Sequence, residues 1–169
     1  MNIRPRQDRD LPACAAVLKE VHAKDGYPVE GVDDPIGWLT PPGLTAAWVA
    51  ELGGEVVGHA LVSEPCDEAA VRLWKKKSGQ QVHVLARLFV IPAARGNRLG
   101  AKLTEAAMQW AQERDYRLVL DVMEKDQAAI RVYENLNWSF LGEIQHQIDT
   151  KKVPARAYVA PLRSNQRYS

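Results

Sequence analysis

Between Leu88 and Leu103 the chain reads LFVIPAARGNRLGAKL, a run whose residue types and spacing suit anion chemistry. An apolar strand stops at Pro92, a short turn carries Arg95 and Gly96, and a helical pattern begins near Asn97. A strand-turn-helix junction of this kind aims unpaired backbone N–H groups and the positive end of a helix at one place. An anion is stabilised there, a pyrophosphate above all. Gly96 and Gly100 lack a Cβ and let a ligand or another backbone come close. Taken alone, two glycines suit an ordinary turn and tight helix packing just as well. Neither nucleotide pattern is complete: no Gly-Lys-Ser/Thr follows for a Walker loop, and G-x-G-x-x-G does not occur.

The elements that must position this junction follow from hydrophobic periodicity. Ile3 and Arg4 suit a short first strand, and Asp10 reads as the N-cap of an amphipathic helix running to about Lys24, with Pro12 in its first turn. Residues 25–44 are rich in Gly, Pro and Asp but hold Tyr27, Trp38 and Leu39, which favours an ordered, functional loop. Two strands, Thr45 to Leu52 and Val56 to Glu64, flank a Gly53-Gly54 hairpin turn. A short insertion helix with a solvated Lys run fits residues 67–77.

The strand from Val82 to Ile91 alternates, with Val82, Val84, Ala86, Leu88 and Val90 on one face and His83, Leu85, Arg87 and Phe89 on the other. A helix from about Asn97 to Arg114 follows, its apolar residues recurring at helical spacing. Then come a strand over Arg117 to Met123, a helix over Asp126 to Leu136, and two strands, about Ser139 to Ile148 and Val153 to Leu162. This order gives a mixed α/β sheet with helices packed on it.

The 169 residues suffice for one domain with a full core, taken here as 1–169 with an ordered core to about residue 162. A net charge of +1 argues against a nucleic-acid surface. No stretch approaches the roughly 20 apolar residues of a membrane span, and the polar start MNIRPRQDRD does not read as a secretory signal. A cytoplasmic protein, monomer or homodimer, is expected. Cys14 reads as a core residue, and the four histidines share no metal-ligand spacing with each other or with Cys14 and Cys66, so no metal is expected.

The run from Leu88 to Gly100 resembles the coenzyme A signature of the GNAT superfamily of N-acetyltransferases, Arg/Gln-x-x-Gly-x-Gly/Ala after a strand and a proline. Arg95 and Gly100 match its ends, while Arg98 replaces the first of its two glycines and points either to solvent or to a phosphate on the adenine side. A second block is similar too: Leu118 to Val122, then Asp126, Ala129, Tyr133 and Trp138. Asp126 stands where the family usually has Asn and reads as a helix cap or a cofactor contact. Asn137 stands where Gly is usual and suits a left-handed turn.

The resemblance implies a mixed α/β (α+β) fold with a mostly antiparallel central sheet, splayed middle strands and flanking helices. It implies acetyl-CoA as co-substrate, bound by Leu88, Phe89, Val90, Arg95, Gly96, Asn97, Arg98, Leu99, Gly100, Ala101 and Asp126. The pantetheine arm would pair with the backbone of Leu88 to Val90 like an added strand. A primary amine of a small molecule or peptide would attack the thioester directly, and Tyr133 would protonate the leaving thiolate. The general base is less defined: the Val82–Ile91 strand lacks the carboxylate many relatives carry there, which leaves Glu64 first among Glu64, Asp121, His83, Glu124 and water.

For Asp121 an ion pair, and for His83 a satisfied surface or edge position, are the plainer readings. Arg87, in the inward position, either repels an ammonium, anchors a carboxylate on the substrate, or forms a salt bridge across the sheet. Tyr27 and Trp38, with His22 nearby, suit acceptor recognition, although Trp38 also suits a core plug. A non-catalytic acyl-CoA-binding sensor is the alternative function.

Overall fold

The computed structural model describes residues 1–148 and 150–162. Strands β1 (Asn2–Pro5), β2 (Leu44–Leu52), β3 (Glu55–Ser63), β4 (Val82–Val90), β5 (Arg117–Met123), β6 (Ser139–Ile148) and β7 (Lys151–Val159) form a sheet in the order β1-β2-β3-β4-β5-β7-β6. Helices α1 (Leu11–Asp25), α2 (Pro35–Leu39), α3 (Ala69–Lys75), α4 (Leu99–Glu113) and α5 (Gln127–Asn135) complete the mixed α/β fold. Among the ladders described, β4–β5 is parallel and the β1–β2, β2–β3, β5–β7 and β6–β7 pairings are antiparallel. No helix among the described residues is long and apolar enough to cross a membrane.

The residues gather into two compact units. The first holds Met1–Ser63 and Ala86–Ala107; the second holds Glu64–Leu85 and the chain from Met108 on, so β4 and α4 each run through both. In the first unit, Cys14, Val17, Leu18 and Val21 follow helical spacing on α1 and pack with Leu39, Val49 and Phe89 into the core. Cys14 is fully buried, as its place on the apolar stripe implies. The β2–β3 hairpin closes through Gly53 and Gly54, both at positive φ (61° and 82°), the turn geometry that matches strand twist.

Asp10 stands at the N-cap of α1 but makes no capping bond. Its carboxylate accepts two 2.8 Å bonds from Arg4 instead, and Arg4 also reaches Glu51. The Arg4 guanidinium holds the Asp10 carboxyl down at about 2, against the opposing effect of burial. The same carboxylate accepts the Gln7 backbone N–H at 2.7 Å, capping the short 3₁₀ turn that precedes α1.

In the second unit, Val82, His83 and Val84 pair with Arg117, Leu118 and Val119, where the β4–β5 ladder ends. Two expectations are corrected here. His83 is not a surface residue: it is 4% exposed, with Tyr116 at 4.0 Å and Trp110 at 5.9 Å between ring centroids. Asp121 forms no ion pair among the described residues; its Oδ1 accepts the Ala70 N–H at 2.9 Å, capping the start of α3 from another strand. Burial pushes its carboxyl above the ordinary value.

Candidate active site

The junction after β4 is built from backbone first. A 3₁₀ turn over Pro92–Ala94 follows the strand, and residues 95–98 run exposed to the start of α4 at Leu99. The helix therefore begins two residues later than the periodicity suggests, leaving Asn97 and Arg98 outside it. Asn97 donates its side-chain N–H to the Ala94 carbonyl at 2.9 Å, which closes the turn. The first helical bond, Lys102 N–H to the Arg98 carbonyl at 3.0 Å, leaves the amides of Leu99, Gly100 and Ala101 without an intrahelical partner. Gly96 has φ 94°, and a Cβ built there would meet nothing within 4 Å, so this stretch of backbone faces open space.

Arg98 has φ 59°. The position at which the coenzyme A signature often carries glycine is left-handed here as well, and Arg98 adopts it with an exposed side chain. Asn137, at φ 66°, follows the same logic after α5. Arg95 pairs with Asp25 at the end of α1 and donates Nε–H to the Val90 carbonyl at 3.3 Å, tying the turn to the strand it leaves.

Tyr27, Trp38 and Arg87 come together in the first unit. The Tyr27 and Trp38 rings meet edge to face at 5.8 Å, and the Arg87 guanidinium lies 4.8 Å from the Trp38 ring centroid. Arg87 also donates Nε–H to the Trp38 carbonyl at 3.1 Å. No described ion pair includes Arg87, so the cross-sheet salt bridge is replaced by an aromatic stack. Trp38 packs against the core and walls the cation at the same time.

Arg87 is also where strand alternation breaks. Its φ of 53° is left-handed, which an unaided pattern of alternating residues cannot anticipate. Its carbonyl faces Nδ1 of His59 at 2.9 Å, and Nε2 of His59 lies 2.9 Å from Nη1 of Arg6. His59 is fully buried and stacks on Phe89, 5.1 Å between centroids at 19°. Burial, with the neighbouring Arg6 and Arg87 charges, drives its pKa down to about 3. Neither Arg6 nor His59 stood out in the sequence; the only signal was a polar ring inside the apolar strand VVGHALV.

In the second unit, Tyr133 is 5% exposed, with Trp138 at 5.6 Å and Tyr158 at 6.4 Å. Its hydroxyl makes no hydrogen bond among the described residues, and burial, helped by the Asp126 charge, raises its pKa above the ordinary value. Asp126 occupies the N-cap position of α5 without a side-chain capping bond. Glu64 follows the end of β3, exposed, and its carboxylate accepts no hydrogen bond among the described residues. Its charge opposes the lowering that burial imposes on His83.

Residues 14–138 match the Acetyltransferase (GNAT) family, a span that takes in the junction and Tyr133. The chain belongs to the GNAT family. Among relatives, YjgM of Escherichia coli (strain K12), an uncharacterized N-acetyltransferase, is 30% identical over 142 residues, 79% of this chain and 78% of that one. A mycothiol acetyltransferase of Amycolatopsis mediterranei is 29% identical, covering 87% of this chain and 46% of that one. An uncharacterized N-acetyltransferase of Archaeoglobus fulgidus is 35% identical over 48% of this chain and 50% of that one. The match thus spans about half the length of the last two relatives.

Solved structures share the fold. YncA from Salmonella typhimurium, solved with its cofactor acetyl-CoA, superposes with a TM-score of 0.72 at 17% identity, over 97% of this chain and 95% of that one. A ribosomal-protein-alanine N-acetyltransferase from Brucella melitensis gives 0.72 at 20%, over 96% and 100%. In this GNAT chain β4 carries no carboxylate, and Arg87 with its aromatic wall stands on that strand.

Proposed function

We propose that residues 1–169 form one acetyltransferase domain that transfers acetyl from acetyl-CoA to a primary amine carrying an acidic group. The observation that carries this is the junction from Arg95 to Ala101, exposed over residues 95–98, with left-handed Gly96 facing open space and three amides at the head of α4 free of helical bonds. Such a cradle suits a diphosphate. The co-substrate supplies an acyl thioester whose carbonyl carbon is open to nucleophilic attack. The Leu88 to Val90 backbone aligns it and polarises its carbonyl, Tyr133 gives the departing sulfur its proton, and Arg87 anchors a carboxylate of the acceptor. As the amine nitrogen bonds to the carbonyl carbon, the C–S bond breaks and the amine proton passes to solvent. Glu64 is the first competitor for that proton among the carboxylates, but no hydrogen bond among the described residues holds its carboxylate toward a substrate.

Coenzyme A at 100 times its Kd is expected to raise the melting temperature by about 5–10 °C. Gly100→Val, placing a branched side chain among the free amides, is expected to remove most of that shift. A folded wild type with no shift at millimolar coenzyme A overturns the reading. The acceptor half is tested by Arg87→Gln, for which KM for an acidic amine should rise about 10–100-fold while KM for acetyl-CoA stays unchanged. An equal KM rise for amines without a carboxylate assigns Arg87 to structure instead.

One observation favours a second reading, a non-catalytic acyl-CoA sensor: β4 carries no carboxylate to deprotonate an amine. Thiol release over a panel of amines separates the two, since a sensor binds coenzyme A and releases none.

A further inference from the structure

We propose that His59, held by Arg6, is a positioning residue that sets the left-handed turn of β4 at Arg87 and so aims the Leu88 amide. The inference rests on the acetyltransferase reading for its consequence, and on the first unit alone for its geometry.

Both ring nitrogens of His59 are spoken for. A guanidinium has no acceptor, so Nε2 must accept from Arg6 Nη1 at 2.9 Å. A carbonyl has no proton, so Nδ1 must donate to the Arg87 oxygen at 2.9 Å. One form of the ring meets both demands, the neutral Nδ1–H tautomer. The same Arg6 nitrogen donates to the Leu39 carbonyl at 2.7 Å, so the imidazole is held through Arg6 from the end of α2 as well as by the Arg87 carbonyl on β4. Phe89, stacked at 19°, holds the ring plane.

What the ring grips is a single peptide group. The Arg87 oxygen and the Leu88 N–H belong to the same planar trans unit and point in opposite directions. Fixing the oxygen toward β3 therefore fixes the Leu88 N–H away from it. Arg87 itself sits at φ 53°, a conformation costly for a side chain with a Cβ, which persists only when its surroundings over-determine it. The hydrogen bond from His59 and the guanidinium stack on Trp38 do so from the backbone and the side-chain ends of one residue. A misaimed amide stabilises a developing oxyanion less, and removal of one such donor typically costs about 10²–10³ in kcat.

Two variants separate positioning from packing. His59→Asn carries an amide N–H at the same bond count from Cα as Nδ1 and still reaches the Arg87 oxygen. His59→Gln places its amide one bond further, toward Arg6. Both lose the ring and its stack on Phe89, so both lose similar melting temperature. The Asn variant is expected to keep kcat about 10–100-fold above the Gln variant, with KM for acetyl-CoA little changed in either. Equal kcat values at matched melting temperature overturn the proposal.

A second readout needs no turnover: ¹⁵N spectra of the wild-type imidazole at neutral pH should show Nδ1 protonated and Nε2 bare. The Nε2–H tautomer overturns the proposal. A protein that releases no thiol with any amine overturns the acetyltransferase reading, while the tautomer still decides how Arg87 is held.

Discussion

Tyr133→Phe is expected to lower kcat at least tenfold, and typically by about 10²–10⁴, with coenzyme A affinity nearly intact. The tyrosine belongs to a nine-residue helix whose inner face it shares with Ile130, and its ring is packed beside Trp138 and Tyr158. Phenylalanine keeps that ring, so the packing and the melting temperature should hold; what goes is the hydroxyl, and with it the proton donor. The hydroxyl has no hydrogen-bond partner among the described residues, and burial with the Asp126 charge holds its pKa above the ordinary 10.0. The phenol is therefore fully protonated at neutral pH.

The basic limb of the kcat profile should lie above pH 10 and vanish in the Phe variant. Single-turnover acetyl transfer with chemistry limiting is the decisive measurement; an unchanged rate removes Tyr133 from the mechanism.

The second large effect is acid sensitivity through His59. Folded, the imidazole titrates at about 3; unfolded, it returns to about 6.5. Between those values the unfolded chain binds a proton that the folded chain refuses, so stability rises with pH across the window and is lost as pH falls below about 6.5. The slope approaches about 1 kcal/mol per pH unit once the pH is well below 6.5, on the order of 2 kcal/mol from pH 6.5 to 4.5. Asp10, whose pKa is near 2, adds loss of the same sign only below its ordinary 3.8, and Asp121, raised by burial, acts in the opposite sense. Urea unfolding of wild type and His59→Asn at the two pH values isolates the histidine. A wild-type slope equal to that of the variant shows that His59 is protonated inside the fold, or open to water.

Much of the architecture was legible because it is governed by local physics. Helix α1 follows from Cys14, Val17, Leu18 and Val21 recurring at helical spacing, and the β2–β3 hairpin from two adjacent glycines able to take positive φ. Strand β5 spans Arg117–Met123 as its sequence pattern predicts, because a mainly apolar run, LVLDVM, is bounded by Arg117 and Glu124. Errors stayed small where they were local: α4 starts at Leu99 instead of Asn97, since a left-handed Arg98 cannot enter a right-handed helix.

The sequence by itself determined the family signature, the order of the elements, and which backbone would be left open at Gly96 and the head of α4. Tertiary structure alone decided how the side chains around that backbone are held. His59 meets the Arg87 carbonyl from 28 residues away, Arg87 meets the Trp38 carbonyl across 49, and Asp121 caps Ala70 across 51. None of these bonds follows from composition or period, because each depends on strand register and loop path, which bring specific atoms within about 3 Å. Periodicity also treats every strand residue as extended, so it cannot show that Arg87 turns left-handed. That turn exists because a buried, neutral imidazole on the neighbouring strand holds its carbonyl.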